Sequence, residues 1–184
     1  KKWADYIESI FFESGLKPVD LVDLACGTGT LTLLLALRGY NMLGVDSSED
    51  MLFVAREKSR SKGVNIPFIC QDISQLSIHR PVDAMICMCD GFNYILEEEE
   101  LKSAFKRIYK FLKPGGILVF DISSYYKLAS VLGNKTITDT GRDISLIWRN
   151  TFEKSDDILE MNLTFFVRKN GHYIRFDETH HQRG

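Results

Sequence analysis

A glycine-containing turn near the start of the chain combines residue types and spacing that suit ligand binding. The run Val22-Asp23-Leu24-Ala25-Cys26-Gly27-Thr28-Gly29-Thr30 joins a short apolar segment to a segment with helical spacing. Glycines without a Cβ atom let the backbone approach a ligand closely, and the start of a helix offers unpaired N–H groups. The pattern favours a cradle for a polar ligand; the alternative is a tight strand-to-helix turn that binds nothing.

A carboxylate follows at a spacing that suits a nucleotide. A second apolar segment ends in Gly44-Val45-Asp46, and Asp46 lies seventeen residues after Gly29. A carboxylate at the end of a second strand can accept hydrogen bonds from both hydroxyls of a ribose. The alternative is that Asp46 only caps the helix that follows it.

The elements that must position these residues alternate between strand-like and helix-like segments. This alternation predicts an α/β fold, a Rossmann-like and mostly parallel sheet with helices on both faces. We predict strands at residues 19–24, 42–45, 66–70, 82–88 and 116–122, and helices at 3–14, 30–38, 48–62 and 97–112.

The pattern changes after about residue 135. Apolar and polar residues alternate in segments 144–152, 158–168 and 172–178, which predicts an antiparallel β insert after the fifth strand. Asn170-Gly171 between the last two segments is typical of a tight hairpin. We therefore expect a core at residues 1–130 and a β meander at 135–184 that covers the substrate within the same domain.

Four motifs follow one another along the chain. They are Asp23-Leu24-Ala25-Cys26-Gly27-Thr28-Gly29, Asp46-Ser47-Ser48-Glu49-Asp50-Met51-Leu52, Gln71-Asp72-Ile73 and Leu112-Lys113-Pro114-Gly115-Gly116-Ile117-Leu118. In this order they resemble the motifs of class I S-adenosylmethionine-dependent methyltransferases. Thr32 stands where the third glycine of a dinucleotide-binding fingerprint would lie, which argues against a nicotinamide-dependent oxidoreductase. The loop at residues 89–94 also resembles the loop after the fourth strand in small bacterial members of the family.

The resemblance implies S-adenosylmethionine as the cofactor and assigns roles to ten residues. Besides Asp46, three of them have plain alternatives: Met51 as a core residue, Asp72 as a turn residue and Cys89 as a buried strand residue. The backbone around Ala25, Gly27 and Gly29 would hold the methionine part, and Asp23 would steady that loop or reach the amino group of the cofactor through water. The other implied roles are Asp46 on the ribose, Ser47 and Met51 beside the adenine, Asp72 and Ile73 on the adenine, and Cys89 on the methionine side.

Methyl transfer needs few side chains because the sulfonium is already an activated electrophile. Orientation of the nucleophile supplies much of the rate, and a general base is optional. The candidates for such a base or for substrate contact lie after the fourth strand and after the last predicted strand. They are Asp90, Asn93, Tyr94, His180 and His181, and for the two histidines a structural role is the alternative.

Composition narrows the partners and the location. The 184 residues carry a net charge of −2, without the basic excess of a dedicated nucleic-acid binder, and no apolar run reaches the roughly 18 residues of a membrane span. Cysteines 26, 70, 87 and 89 match no metal or disulfide spacing, so we predict reduced core residues, no metal site and a cytoplasmic protein. The sequence gives no indication of the oligomeric state.

The function predicted from these observations is methyl transfer to a nitrogen or oxygen of a small molecule. The alternatives are a methyltransferase acting on RNA or protein, and a protein that binds S-adenosylmethionine without transferring its methyl group. The chain lacks an initiator methionine, so we expect it to begin inside a longer protein. Family members normally end with a further helix and an antiparallel strand pair, so we also expect the C-terminal strands of the sheet to be missing.

Overall fold

A parallel five-stranded sheet forms the centre of the first of two compact units. The computed structural model describes residues 2–184, with residues 2–91 and 97–121 in the first unit and 92–96 and 122–184 in the second. The first unit contains strands β1 (Asp20–Leu24), β2 (Asn41–Asp46), β3 (Phe68–Cys70), β4 (Val82–Cys87) and β5 (Leu112–Phe120), and helices α1 (Lys2–Glu13), α2 (Thr30–Ala36), α3 (Glu49–Ser61) and α4 (Glu98–Phe111).

The strand order places the glycine turn at a switch point. The sheet runs β3-β2-β1-β4-β5, and all of its strand pairs are parallel. The chain turns towards β2 after β1 but towards β5 after β4, so the loops that leave these two central strands diverge. Ligands of doubly wound sheets bind in the crevice between such loops. The predicted α/β fold with its mostly parallel sheet is confirmed.

One apolar cluster holds α1 and α2 against this sheet. Ile7 and Phe11 of α1 and Leu35 of α2 are almost fully buried and pack with Ile86 of β4. Their spacing of four residues on α1 places Ile7 and Phe11 on one helical stripe. The cluster anchors both helices that border the glycine turn.

Asp83 ties the amino ends of three strands together. Its Oδ2 atom accepts hydrogen bonds from the backbone N–H groups of Val19 and Asp20, each at 2.9 Å. Its Oδ1 atom lies 2.7 Å from the Nζ atom of Lys113 on β5. The N–H group of Asp20 and the charge of Lys113 together lower the pKa of Asp83 to about 2. The carboxyl end of the sheet is the end at which the glycine turn and the loop after β4 lie.

The second unit is an antiparallel sheet with one short helix. Its strands, in the order β6-β7-β8-β9, are β6 (Thr136–Thr140), β7 (Ile144–Glu153), β8 (Ile158–Lys169) and β9 (His172–Arg183). A single helical turn at Lys127–Leu132 packs Leu128 against Phe152, Leu159 and Met161. Asn170 and Gly171 both have positive φ angles, as the predicted tight hairpin requires.

The antiparallel region is larger than the sequence predicted. β6 is an additional strand, which was missed because Thr-Ile-Thr-Asp-Thr holds one apolar residue and lies exposed at the edge. β9 continues to Arg183 instead of ending at Glu178, because its polar end still pairs with Ile158–Asn162 of β8. The expectation of missing C-terminal strands is not confirmed, since this part of the chain forms a sheet of its own. The boundaries at 130 and 135 stay a prediction.

Two further observations concern the helices and the cysteines. Within residues 2–184 no helix combines the length and apolarity that crossing a membrane requires. All four cysteines are free thiols, but the prediction that they are core residues is wrong for Cys70 and Cys89, which are exposed. Both stand at the ends of strands, where the chain leaves the core.

Candidate functional site

The glycine turn adopts a backbone that alternates in handedness. Ala25, Gly27 and Gly29 have φ angles of 51°, 52° and 65°, a region that residues with a Cβ atom rarely occupy. The two glycines differ in their surroundings. A Cβ atom on Gly29 would lie 2.9 Å from the Cβ atom of Ala55, whereas one on Gly27 would meet nothing within 4 Å. Gly29 is therefore needed for packing, and Gly27 faces open space.

Asp46 connects this turn to the end of β2. Its Oδ2 atom accepts a hydrogen bond of 2.7 Å from the N–H group of Gly27, and its Oδ1 atom accepts one of 2.9 Å from Ser48. The cap of α3 is Ser48, whose Oγ atom accepts from the N–H group of Met51. The alternative in which Asp46 is the cap is therefore wrong. Each carboxylate oxygen keeps a second lone pair for a further donor.

A buried carboxylate stands directly beneath the turn. Asp23 is 3% exposed, and its Oδ2 atom accepts a hydrogen bond of 2.5 Å from the Thr32 hydroxyl. Burial raises the pKa of Asp23 to about 7, although the hydrogen bond from Thr32 opposes this shift. Thr32 was noted in the sequence only as a departure from glycine. Its role as the partner of Asp23 depends on the first turn of α2, which brings the two residues together.

The turn, the start of α2 and the end of β4 enclose a cavity of about 300 Å³. Four predicted residues line it: Asp23, Ala25, Gly27 and Cys89. The lining residues that sequence reasoning did not select are Trp3, Cys26, Thr28, Thr30, Leu31, Leu34 and Met88. Trp3 had no local signal, because its position in the site depends on how α1 packs against the sheet.

The predicted adenine-side residues lie at the ends of β2 and β3, outside the lining of this cavity. Asp46 pairs in register with Cys70, so the two strand ends are neighbours. Met51 is 44% exposed in the first turn of α3 and is not a core residue. Asp72 is exposed and caps a short helix by accepting a hydrogen bond of 2.6 Å from the N–H group of Ser74. This hydrogen bond fits the alternative of Asp72 as a turn residue.

The two other predicted residues of this group have different surroundings. Ile73 is buried at the start of the short helix that Asp72 caps. Ser47 is exposed, and its carbonyl oxygen accepts a hydrogen bond of 3.4 Å from the Cys70 thiol.

The loop after β4 holds two strained residues side by side. Cys89 and Asp90 both have positive φ angles, and Asp121 accepts a hydrogen bond of 3.3 Å from the N–H group of Asp90. Partial desolvation raises the pKa of the Cys89 thiol, and the charges of Asp121 and Asp90 add to the effect. Residues in such conformations persist only where their surroundings enforce them, and they cluster at functional sites. The alternative of Cys89 as a buried strand residue is wrong.

Asn93 in the second unit serves as a structural connector. Its Nδ2 atom donates to the carbonyl oxygens of Ser123 and Arg183 at 2.8 and 2.6 Å, and its Oδ1 atom accepts from the N–H group of Ser123 at 2.8 Å. All three hydrogen bonds join this buried side chain to backbone groups, as expected for a buried polar group. They tie the segment after β4 to the end of β9.

The paired histidines lie within β9 and not after it, which corrects the predicted strand end. Neighbouring strand residues point to opposite faces of a sheet. The Nε2 atom of His180 lies 3.1 Å from Glu178, and its ring meets the Tyr94 ring edge to face at 5.9 Å. The Nε2 atom of His181 lies 3.4 Å from Glu160. His180 and Tyr94 are thus brought together, and His181 is separated from both.

Comparisons with known proteins agree with this architecture. A family model described as "Methyltransferase domain" matches residues 21–116. A Bacillus subtilis (strain 168) protein named "Putative methyltransferase YqeM" is 38% identical over 99% of this chain and 72% of its own length. The crystal structure of an S-adenosylmethionine-dependent methyltransferase from Clostridium acetobutylicum ATCC 824 is 44% identical, with a TM-score of 0.93 over 100% of this chain and 74% of that one.

A third relative has a named substrate. The glycine/sarcosine N-methyltransferase of Halorhodospira halochloris is 30% identical over 67% of this chain, and the match spans 51% of that enzyme. Since the family model covers more than half of the 184 residues and the Bacillus relative matches nearly all of them, the chain belongs to the class I S-adenosylmethionine-dependent methyltransferases.

Proposed function

We propose that this methyltransferase transfers the methyl group of S-adenosylmethionine to a nitrogen or oxygen atom of a small metabolite. The observation that carries the proposal is the cavity between the glycine turn after β1 and the strained loop after β4. Its volume of about 300 Å³ suits part of a small organic ligand, and it opens at the switch point of the sheet.

The residues of the first unit fit this cofactor. Gly27 leaves free the space that a Cβ atom would fill, so the backbone of the turn is open to the methionine part. Asp46 keeps acceptor capacity at the end of β2 for ribose hydroxyls. Asp23 lines the cavity with a carboxylate that complements a positively charged ligand.

The chemistry divides between the cofactor and the chain. When bound, S-adenosylmethionine supplies a methyl group activated by its sulfonium centre. The residues of the chain bind the two reactants, orient the nucleophile and exclude water. Orientation of this kind is the main requirement for an in-line displacement. His180, paired with Glu178, is the proposed acceptor of a proton from the nucleophile, and Tyr94 orients the imidazole through its ring contact.

The preference for a small acceptor is supported by two observations. The glycine/sarcosine N-methyltransferase relative acts on small amines by its name. The net charge of −2 offers no excess of positive charge for a nucleic-acid substrate.

Calorimetric titration of the chain with S-adenosylmethionine and, separately, NAD tests the cofactor. We expect saturable binding of S-adenosylmethionine alone. Formation of S-adenosylhomocysteine is then measured against matched panels of small amines, small alcohols, transfer RNA and unfolded protein. Turnover with an amine or alcohol supports the proposal; turnover with RNA or protein only, or binding without turnover on any panel, contradicts it.

A further inference from the structure

Lys58 of α3 reaches back to the glycine turn and directs its ammonium group at three oxygen atoms there. Its Nζ atom donates to the carbonyl oxygen of Thr28 at 2.8 Å and to the hydroxyls of Thr28 and Thr30 at 3.0 and 2.8 Å. An ammonium group has three N–H donors and no acceptor. The three contacts therefore use its full hydrogen-bonding capacity on two residues that line the cavity.

These contacts fix the orientation of one peptide unit in the turn. The carbonyl oxygen of Thr28 accepts from Lys58, and the N–H group at the other side of the same peptide, that of Gly29, donates to Cys26 at 2.9 Å. Rotation of this peptide would break both bonds. Lys58 also holds Thr30, the first residue of α2, so the turn and the helix start are clamped by one side chain.

The turn requires such a clamp because its backbone is unfavourable by itself. Ala25 carries a Cβ atom at a φ angle of 51°, a conformation that persists only when the surroundings enforce it. Asp46 holds the turn at Gly27, on its first half. Lys58 supplies the corresponding hold on the second half.

We propose that Lys58 is a positioning residue of the cofactor site, which shapes the Thr28–Gly29 peptide for S-adenosylmethionine without contacting the reacting atoms. This inference rests on the proposed function of the cavity. It predicts that loss of Lys58 weakens cofactor binding through the turn, whereas loss of a similar charge nearby has no such effect. Lys62, which directly follows α3, is exposed and provides the control.

The test is calorimetric titration of the full chain with S-adenosylhomocysteine. Lys58→Met keeps the length of the side chain and removes all three donors, so we expect binding about tenfold weaker, the scale of lost charge-assisted hydrogen bonds. Lys58→Arg should restore part of the affinity, because a planar guanidinium keeps the charge but cannot match all three oxygens. Lys62→Met should bind like the parent chain.

A second variant keeps the test open if Lys58→Met does not fold. Thr30→Val removes one of the three acceptors and leaves Lys58 in place, and we expect about threefold weaker binding. Equal affinity in Lys58→Met and the parent, with only a lower thermal midpoint, would show a structural role and overturn the inference. A parent chain that does not bind the ligand would overturn the proposed function and this inference with it.

Discussion

At the scale of single residues, Asp46 is expected to act on the turn and on the cofactor with the same carboxylate. Asp46→Asn keeps one oxygen acceptor but removes the charge. We expect it to weaken S-adenosylhomocysteine binding by about 1.5–3 kcal/mol, the range for hydrogen bonds to a charged group. Calorimetric titration measures the change.

The ribose contact is separated from the turn contact by a modified ligand. If Asp46 accepts a hydrogen bond from the ribose, replacing S-adenosylhomocysteine by its 2′-deoxy analogue should lower the binding affinity much less in Asp46→Asn than in the parent chain. Equal losses in both proteins would restrict Asp46 to holding Gly27.

Gly27 is expected to tolerate not even a methyl group, because the added group would clash with the ligand and not with the protein. A Cβ atom there meets no protein atom within 4 Å but points into the open space of the turn. Gly27→Ala should lower S-adenosylmethionine affinity at least about tenfold by steric exclusion. Backbone strain should separately lower the free energy of unfolding by roughly 1 kcal/mol. Titration of the folded variant measures the loss of affinity.

Gly63 offers a matched control for that strain. Its φ angle of +68° and its open surroundings resemble those of Gly27, but it follows α3 and does not line the cavity. Gly63→Ala should lose similar stability and keep the parent affinity. Near-parental binding in Gly27→Ala would remove this turn from the cofactor site.

Residue types and local spacing were sufficient to select Gly27, Asp46 and Asp23 as candidates, because each belongs to a short motif with its own geometric reason. Thr32, Lys58 and Trp3 were not found. Their roles arise from contacts across 9, 28 to 30 and more than 20 positions of the chain, and no local pattern encodes such contacts.

At the scale of elements, side chains along β9 alternate between the two faces of the sheet, so the adjacent histidines 180 and 181 lie on opposite faces. The sequence prediction did not separate them. His180 faces Tyr94 and His181 faces Glu160, so only one of them can serve the same site as Tyr94. We expect His180→Gln to lower turnover at least about tenfold, the lower part of the range for a general base, with cofactor affinity within about twofold. Steady-state rates with an identified acceptor measure this, and His181→Gln is the internal control. Equal rates in the two variants would exclude His180 as a base.

Asp83 is expected to stabilise the amino end of the parallel sheet, where it connects β1, β4 and β5. Asp83→Asn removes the charge that pairs with Lys113 and weakens the hydrogen bonds to Val19 and Asp20. We expect a loss of about 1.5–3 kcal/mol in the free energy of unfolding near neutral pH. Urea denaturation measures it, with Asp139→Asn on exposed β6 as a variant that should change little. A loss of the same size in both variants would contradict the specific role of Asp83.

Elements were predictable where periodicity was strong. The five parallel strands and the helices between them have continuous apolar runs or amphipathic spacing. β6 and the end of β9 were not predictable, since their polar residues are held by pairing with β7 and β8 and not by burial.

At the scale of the whole molecule, Asp83 and Asp23 act on stability at opposite ends of the pH range. The pKa of Asp83 is lowered to about 2, so its contribution is present above the unfolded value of about 3.9 and is lost as the pH falls through 2. The pKa of Asp23 is raised to about 7, so its contribution is complete below about pH 4 and is lost as the pH rises through 7. Both contributions are therefore close to their full size only near pH 4.

Asp23→Asn should therefore flatten the upper part of the stability profile. The thermal midpoint of the parent chain, measured without ligand, should fall between pH 5 and pH 8, and that of the variant should fall less. S-adenosylmethionine affinity should rise over the same interval in the parent, by no more than about tenfold per pH unit for one linked proton, because a cation favours the ionised carboxylate. A profile of affinity that is flat in the parent would contradict this coupling.

The central position of β1 has a consequence for synthesis. The glycine turn is complete within the first thirty residues, but Lys58 and the β4 partner of β1 come much later in the chain. A nascent chain leaving the ribosome thus carries the cofactor motif well before it carries the wall formed by Met88 and Cys89. We therefore expect the cofactor to stabilise the fold by mass action only once β4 has paired with β1, and not during the earliest stages of folding.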